Sequence, residues 1–284
     1  MSNPITDFSN GLTTAVEAGG AGTVLVDARK RYPASGIPYA EDLILTADHV
    51  IRREEDIQVV SPDGSSHPAS LAGRDPGSDL ALLRLDEKVF APPKTSEEVK
   101  VGQLVLALGR PTTGGVQASW GIVTAIHGPA RTHHGGLLDA FIRSETTPYP
   151  GFSGGPLINT EGEVLGLNTS GLSHGSSLTI PVKAAWRIAD ALANYGTVKR
   201  GYLGVRTQPV DGGLLVVWLE ENGPAEQGGL LVGDILVSVD SQDLSDPDDL
   251  FAALSSEVVG RPIPVEVLRG GKPETLSVTA GERK

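Results

Sequence analysis

Short apolar runs separated by turn residues recur along most of this sequence. The runs are rich in Val, Ile and Leu, and Gly, Pro, Asp or Ser bound most of them. Such runs are typical of buried strands, and a regular succession of them is typical of a β-barrel or a β-sandwich. The 36 glycines and 20 prolines among 284 residues supply many tight turns and follow no collagen-like period. We predict a mainly β fold, with early strands at Thr23–Val26, Leu43–Thr46, Ile57–Val60, Leu80–Leu85, Leu104–Leu108, Gly121–Ile126 and Val164–Asn168.

Two segments have helical rather than strand periodicity. Pro4–Glu17 is predicted to form a short helix. From Pro181 to Tyr195 apolar residues recur at helical spacing, and Gly196 follows as a typical helix stop. A helix that closes a β domain marks a natural boundary, and the short polar stretch after it has the character of a linker.

A second, more acidic domain follows this linker. Because a domain averages roughly 150 residues, we expect two domains, at residues 1–198 and 199–284. From Gly201 onward, 6 Lys or Arg stand against 14 Asp or Glu. A helix is predicted over Asp246–Ser256, with its first residue or the preceding serine as the N-cap. Strands are predicted at Leu214–Leu219, Ile235–Val239, Ile263–Leu268 and Thr275–Thr279.

Composition excludes several classes of function. The chain has no Cys, which excludes a disulfide scaffold, a Cys-ligated metal site and a Cys nucleophile. A net charge of −12 argues against a nucleic-acid partner. There is no P-loop, and we predict no cofactor. Met1–Val26 lacks the basic and apolar regions of a signal peptide, and no transmembrane run is present. These features predict a cytoplasmic protein as the sequence stands, or a cell-envelope or periplasmic one if a leader has been removed.

Three local motifs each place a reactive side chain beside a predicted strand. His49 directly follows the apolar run that begins at Leu43. Asp79 directly precedes the apolar run that begins at Leu80. Ser153 lies in the glycine-rich turn Gly-Phe-Ser-Gly-Gly-Pro. Each motif alone also occurs as an ordinary turn, cap or core residue, but the three in the order His, Asp, Ser together predict a catalytic triad.

Acyl transfer requires these residue types. A serine hydroxyl is a poor nucleophile at neutral pH and needs an adjacent base, which a histidine supplies. A buried carboxylate fixes the imidazole tautomer and stabilises the imidazolium. Glycines allow the backbone to bend sharply and point N–H groups at the developing oxyanion.

With these motifs in place, the chain resembles the HtrA/Deg serine proteases, in which a trypsin-like protease domain is followed by a PDZ domain. The resemblance covers nearly the whole chain. Besides the triad motifs, it rests on four segments, namely Val101–Pro111, Ser119–Ala125, Gly162–Thr169 and Gly201–Val205. It implies a chymotrypsin-like double β-barrel followed by a small α+β PDZ domain.

The resemblance also implies roles for individual residues. His49 would be the general base, Asp79 its orienting carboxylate and Ser153 the nucleophile. The oxyanion hole would use the N–H groups of Gly151 and Ser153, with that of Phe152 as a further candidate. The substrate backbone would pair with the strand formed by Asn168, Thr169, Ser170 and Gly171.

The sequence departs from the family pattern around the nucleophile. Phe152 stands where family members usually carry Asn, so the oxyanion loop is expected to switch differently between resting and active shapes. Thr147, six residues before Ser153, occupies the position where cleavage after Lys or Arg requires an acid. We therefore predict a small or medium apolar residue at P1, the substrate residue before the scissile bond. Because such residues are buried in folded proteins, the expected substrates are unfolded or damaged chains.

The second domain is expected to bind peptides. A PDZ domain adds an extended peptide as a strand and holds its terminal carboxylate with loop N–H groups. The resemblance places that loop at Tyr202, Leu203 and Gly204, with Val205 on the adjoining strand. Leu250 and Leu254 are candidate pocket residues on the predicted helix, with a purely structural core role as the alternative. Acidic tails are disfavoured because this domain is itself acidic.

Further residues suggest an assembly and argue against a metal site. His133 and His134 are adjacent in a turn-rich segment without an accompanying acidic cluster, so no metal site is predicted. The basic run from Arg29 to Arg31 is interpreted as a hairpin tip rather than a binding patch. Family members commonly trimerise through aromatic residues near the start of the protease domain, so Phe8 suggests a homotrimer.

The leading hypothesis is an ATP-independent bacterial serine endopeptidase that acts in protein quality control. A second hypothesis is a PDZ peptide sensor or chaperone-like binding protein whose protease domain is resting or weakly active. A third is a processing protease with one partner.

Overall fold

The computed structural model describes residues 3–132, 136–138, 140–172, 178–255 and 258–282. The chain forms two compact units, Met1–Thr197 and Val198–Lys284.

In the first unit, six strands close into a barrel in the order β1-β2-β3-β6-β5-β4. Every residue of β3 is buried, and Leu80, Ala81, Leu82 and Leu83 at the start of β6 are fully buried, as the continuous apolar runs predict. The strands are β1 (Val24–Asp27), β2 (Ala34–Ala40), β3 (Leu43–Ala47), β4 (Ile57–Val60), β5 (Ser66–Asp75) and β6 (Leu80–Leu85).

A second barrel in the same unit has the strand order β11-β14-β13-β12-β7-β8. Its core includes Val105, Ile142, Phe152, Leu157 and Leu165. The small pair β9 and β10 lies outside this path. The strands are β7 (Leu104–Gly109), β8 (Gln117–His127), β9 (Ala130–Arg131), β10 (Leu137–Leu138), β11 (Phe141–Ser144), β12 (Pro156–Ile158), β13 (Val164–Thr169) and β14 (Leu178–Pro181).

Two helices pack on these barrels. Helix α1 (Pro4–Ala21) begins at the Asn3 N-cap and runs four residues beyond the predicted end at Glu17. Its last turn contains Gly19 and Gly20, which lie against the side chains of the second barrel without room for a Cβ of ordinary spacing. Helix α2 (Val182–Tyr195) ends at Gly196 with φ +72°, as predicted.

The second unit is built on a sheet in the order β16-β17-β18-β20-β21. Its strands are β15 (Gly201–Tyr202), β16 (Val205–Val210), β17 (Gly213–Leu219), β18 (Ile235–Val239), β19 (Gln242–Asp243), β20 (Pro262–Arg269), β21 (Lys272–Thr279) and β22 (Gly281–Glu282), and its helices are α3 (Pro224–Gln227) and α4 (Pro247–Ala253). The predicted fold class, a double β-barrel followed by a small α+β domain, is confirmed.

Helix α4 is shorter than predicted. Asp246 and Asp249 form a reciprocal capping box that fixes its start. The helix ends at Ala253, with Leu254 as its C-cap, whereas the sequence predicted continuation to Ser256. Ser256 itself lies outside the described residues.

Candidate active site

Strand pairing brings His49 and Asp79 together. Strand β3 runs into the short 3-10 turn Asp48–Val50, which carries His49. Asp79 directly precedes β6, and Ala47 at the end of β3 pairs with Leu80 at the start of β6. The two side chains therefore leave neighbouring strand ends, although they are 30 positions apart in sequence.

The Asp79 carboxylate holds both the ring and the backbone of His49. Its Oδ2 lies 2.8 Å from His49 Nδ1, and its Oδ1 accepts the His49 backbone N–H at 2.8 Å. The Asp79 residue is 3% exposed, so its carboxylate is shielded from water, whereas the His49 side chain is partly exposed. With φ +55°, Asp79 adopts a left-handed backbone that few non-glycine residues occupy, and such conformations cluster at functional sites.

Thr169 completes the environment of the Asp79 carboxylate. Its hydroxyl donates to Asp79 Oδ2, and its side chain is fully buried. Nearby, a Cβ at Gly171 would lie 2.4 Å from Asp79 Oδ2 and 2.8 Å from His49 Nδ1. Only glycine therefore leaves room for the His49–Asp79 pair. The sequence assigned both residues to substrate binding and missed their contact with the pair.

A partly exposed ion pair anchors the turn that carries His49. Arg74 Nε lies 2.7 Å from Asp48 Oδ1, and the Asp48 N–H donates to the Asp79 carbonyl at 3.0 Å. Hydrogen bonding to Asp48 raises the pKa of Arg74 above its ordinary value. No sequence motif indicated Arg74, because its partner is 26 positions away.

Ser153 lies in a sharp turn between two glycines with positive φ. Gly151 has φ +88° and Gly154 has φ +87°, which side chains disfavour. A Cβ at Gly154 would lie 2.0 Å from the Ser35 carbonyl oxygen, and one at Gly151 would lie 2.7 Å from that of Pro33. The glycine pattern that singled out Ser153 therefore reflects close backbone packing as well as conformation.

Ser35 on β2 is a buried polar hub behind this turn. Its hydroxyl donates to the Gly151 carbonyl at 2.7 Å, and its backbone N–H donates to the Ser153 carbonyl at 3.1 Å. The Arg110 N–H donates to the Ser35 hydroxyl at 2.8 Å. Two carbonyls of the nucleophile turn are thus held from the first barrel. Nothing in the local sequence indicated this role.

The backbone N–H groups of the turn differ in availability. The Phe152 N–H donates to the Tyr149 carbonyl at 3.1 Å, so the expected use of Phe152 as an oxyanion donor does not agree with the structure. Among the residues described, the N–H groups of Gly151 and Ser153 have no acceptor. These two groups remain free to bind an oxyanion.

The Phe152 side chain is instead part of the barrel core. It is 2% exposed, and its ring lies edge-on to that of Tyr149 with centroids 5.4 Å apart. A Cβ at Gly109 would lie 2.5 Å from the Phe152 ring. Where the related family usually carries a polar Asn, this chain therefore anchors the turn by apolar packing.

His49 and Ser153 line one cavity of about 320 Å³. Ser170 also lines it, and the Ser153 hydroxyl lies 3.2 Å from the Ser170 hydroxyl. In the described part of the chain no hydrogen bond joins Ser153 to His49. Catalytic hydrogen bonds are often long without substrate and tighten when it binds.

The other predicted substrate residues are placed unequally. Thr147 is exposed, donates its N–H to Ser119 Oγ at 2.6 Å and does not line this cavity. Its three successors, Pro148, Tyr149 and Pro150, line the wall instead. The Asn168 side chain is buried, and its backbone binds Gly154 and Gly155. Of the four residues predicted to pair with substrate, Ser170 is among the residues that line the cavity, whereas Asn168, Thr169 and Gly171 are not.

Several of the residues predicted to bind peptide in the second unit lie in its hydrophobic core or pack against it. Leu203 and Leu250 are buried members of the core, and Val205 and Leu254 pack against it. Gly204 has φ +76°, and its carbonyl accepts the Glu220 N–H at 2.8 Å. Tyr202 lies on β15, which pairs with β22. The structure thus brings these residues together. Leu250 and Leu254 both pack inward, which agrees with the alternative interpretation that they have a purely structural role in the core.

The described residues include neither a cluster suited to a metal ion nor a helix suited to spanning a membrane. Within the described ranges, no group of three or more His, Asp or Glu side chains is placed to bind a metal ion. His133 and His134 lie outside those ranges. Over the same residues, no helix combines the length and apolarity needed to span a bilayer.

Two family models match successive parts of the chain. The trypsin-like peptidase domain matches residues 34–167, and the PDZ domain matches residues 201–280. The first match covers most of both barrels and the second covers most of the second unit.

Curated relatives have similar sequences over most of the chain. A probable periplasmic serine endoprotease DegP-like of Halomonas elongata is 35% identical over 274 residues, which make up 89% of this chain and 57% of that protein. A protein of the same description from Pseudomonas putida is 36% identical over 261 residues, covering 85% of this chain and 54% of that protein. The chain spans about half the length of these relatives.

Solved structures agree over nearly the whole chain. The HtrA-type protease AlgW with tripeptide matches with a TM-score of 0.82 and 30% identity, over 96% of this chain and 97% of that chain. A serine endoprotease from Yersinia pestis matches with a TM-score of 0.81 and 30% identity, over 96% and 98%.

Proposed function

Since this chain belongs to the HtrA family of trypsin-like serine proteases with a PDZ domain, we propose that it is a serine endopeptidase whose catalytic triad is His49, Asp79 and Ser153. The observation that carries the proposal is the buried Asp79 carboxylate, which holds the His49 ring at 2.8 Å on the cavity that Ser153 lines.

The mechanism follows from the roles of these groups. His49 removes the Ser153 hydroxyl proton as Ser153 Oγ attacks the substrate carbonyl, and Asp79 stabilises the resulting imidazolium. The N–H groups of Gly151 and Ser153 stabilise the oxyanion. His49 then gives the proton to the leaving amine, and the C–N bond breaks to form an acyl-enzyme. Water, deprotonated by His49, hydrolyses this ester and regenerates Ser153. No step consumes a nucleotide, so we propose that cleavage is ATP-independent.

The substrates are proposed to be unfolded or damaged chains cut after a small or medium apolar residue. Thr147 provides no acid for a basic P1 side chain, and Pro148, Tyr149 and Pro150 give the cavity an uncharged wall. Residues of this kind are buried in folded proteins and become accessible on unfolding. Such a preference supports a role in protein quality control.

The second unit is proposed to bind peptide C-termini and regulate cleavage. Strand β16 lies at the edge of its sheet, where a peptide can add as a further strand. In support, the structurally similar AlgW has been solved with a decapeptide and with a tripeptide. The candidate peptide-binding residues are those given by the sequence. They are Tyr202, Leu203 and Gly204 in the loop, Val205 on the adjoining strand, and Leu250 and Leu254 as pocket residues.

The assembly and location are proposed from the family and the surface. Phe8 and Trp120 are exposed and lie edge-on to each other, which suits a homotrimer of the first unit. The relatives described as periplasmic support a bacterial cell-envelope location.

One observation favours the second hypothesis, a peptide sensor or chaperone with a resting protease domain. The Ser153 hydroxyl is hydrogen-bonded to Ser170 rather than to His49, an arrangement in which the nucleophile is not yet activated.

Unfolded casein distinguishes the two hypotheses. We expect the protein to degrade casein without ATP and the Ser153→Ala variant to leave it intact, because the variant lacks the nucleophile. Ser61→Ala, which changes a half-buried serine in the turn after β4 that does not line the Ser153 cavity, serves as the matched control and should retain activity. Protection of casein from aggregation without cleavage, by both the parent and the Ser153→Ala protein, would support the sensor or chaperone instead.

A further inference from the structure

A basic loop borders the cavity next to Ser153. The loop joins β1 to β2, and its residues Arg29, Arg31 and Tyr32 line the cavity together with His49 and Ser153. The sequence suggested only a hairpin tip for this basic run. The fold instead makes the run part of the candidate active site.

Arg29 fixes the shape of the loop. Its Nε donates to the Tyr32 carbonyl at 2.5 Å, and its Nη2 lies 3.5 Å from the Pro33 carbonyl. Tyr32 has φ +49°, so the loop reverses sharply at that point. Burial, together with the nearby charge of Arg52, lowers the pKa of Arg29 from its ordinary value. The guanidinium still carries its charge at neutral pH, and both acceptors are neutral carbonyls.

In the part of the chain that the structure describes, the charged side chain of Arg31 points into no contact that would neutralise it. Among the described residues it forms no hydrogen bond or ion pair, and its side chain is exposed at the cavity. Of the residues that the structure describes, those lining the cavity include these two arginines and no carboxylate. A chain with net charge −12 therefore presents unpaired positive charge at this site. A guanidinium fork binds a carboxylate with two parallel hydrogen bonds.

The loop and Ser170 border Ser153 from different barrels. Ser170 follows β13 of the second barrel, and its hydroxyl lies 3.2 Å from that of Ser153. The loop continues into β2 of the first barrel, where Ser35 donates to the Ser153 carbonyl. A substrate chain that crosses Ser153 therefore contacts Ser170 with one segment and the loop with the other.

Building on the endopeptidase function proposed above, we propose that Arg31 forms an acid-selecting subsite for an Asp or Glu side chain that follows the scissile bond in the substrate. Arg29 acts as a positioning residue that holds the loop. Since exposed ion pairs are weak, the expected gain in kcat/KM for Glu over Gln is about two- to fivefold. Salt should reduce this gain, because the pair is accessible to counterions.

Peptides that vary one position at a time test this subsite. Internally quenched peptides with blocked termini carry Glu or Gln at each of the three positions before and after the scissile bond. They are incubated with the full chain, Arg31→Gln and Lys30→Gln at low and high salt. Lys30 is the matched control, since it carries the same charge in the same loop but does not line the cavity.

The proposal expects the ratio of kcat/KM for Glu over Gln peptides, taken within each protein, to exceed one after the scissile bond in the parent and in Lys30→Gln and to fall to one in Arg31→Gln. Equal Glu and Gln rates, a preference before the scissile bond, or a preference that persists in Arg31→Gln would overturn it. Those results leave the endopeptidase function intact, because cleavage itself continues. Absence of any cleavage that depends on Ser153 would refute the endopeptidase function and this subsite with it.

Discussion

Ser35 illustrates how a single buried hydroxyl can set the geometry of a reactive turn. It is fully buried. Its hydroxyl accepts the Arg110 backbone N–H and donates to the Gly151 carbonyl, while its own N–H donates to the Ser153 carbonyl. These carbonyls belong to peptide units next to the proposed oxyanion donors. Ser35 is therefore a positioning residue, acting through the turn rather than on the substrate.

We expect Ser35→Ala to lower kcat about tenfold with little change in KM. The loss is smaller than the 10²–10³ expected for deleting an oxyanion donor outright, because the donors remain but are less firmly held. Steady-state kinetics on one peptide separates the two constants.

The matched control for this variant is Ser70→Ala, which removes a hydroxyl from an exposed position of the same barrel. It should leave both kinetic constants unchanged. An unchanged kcat in Ser35→Ala, with the protein folded, would show that the Gly151 and Ser153 carbonyls are held well enough without the hydroxyl.

At the scale of elements, a charged pair joins strand β20 to the turn before β18. Asp234 is 1% exposed and accepts two hydrogen bonds from Arg269 at 2.8 Å, while its Oδ2 also accepts the Leu231 N–H. The hydrogen bonds from Arg269 hold the pKa of Asp234 below its ordinary value. Arg269 also pairs with the more exposed Glu274.

This pair gives the second unit a defined response to acid. Because the folded pKa of Asp234 lies below the unfolded value of about 3.9, its contribution is complete above that value and is lost as pH falls through the folded pKa. Asp234→Asn should lower the free energy of unfolding by about 2 kcal/mol at neutral pH. The difference from the parent should shrink on acidification.

Urea titrations at neutral and acid pH, followed by hydrogen exchange of second-unit peptides, measure this difference. Glu274→Gln is the control, since it removes the exposed partner of the same arginine and should cost less than about 1 kcal/mol. A difference between parent and Asp234→Asn that does not change with pH would contradict the assigned pKa direction.

At the scale of the whole molecule, exposed aromatic residues suggest self-association. Phe8 is 50% exposed and Trp120 is 60% exposed, with ring centroids 6.4 Å apart. Large aromatic side chains are enriched in interfaces and contribute much of their energy. One end of helix α1 and one strand of the second barrel thus combine into a surface suited to the proposed homotrimer.

We expect the double variant Phe8→Ala and Trp120→Ala to shift the protein from trimer to monomer. Light scattering at micromolar concentration measures the molar mass directly. Tyr195→Ala removes another exposed aromatic side chain of the first unit and should leave the mass unchanged. A monomeric parent protein would refute the trimer itself.

Regular elements and the candidate triad were predictable because their signals are local. Strand runs, the glycine that ends α2 and the glycines around Ser153 each depend on neighbours a few positions away. The length of α4 was overestimated, because Leu254 stands at helical spacing from Leu250 while its backbone already leaves the helix as the C-cap. The expected Phe152 oxyanion donor also failed, since the Tyr149 carbonyl takes its N–H.

The sequence by itself determined the fold class and the main strands, and it singled out His49, Asp79 and Ser153 as the candidate triad. Only the tertiary structure decided what holds them, because those contacts join distant positions. The Ser35 hydroxyl meets Gly151 across 116 positions, and Thr169 meets Asp79 across 90. The tertiary fold also places Arg31, which the sequence suggested only as part of a hairpin tip, beside Ser153 in the wall of the cavity. Sequence periodicity reports which face of an element is buried, but not which distant side chain will meet it there.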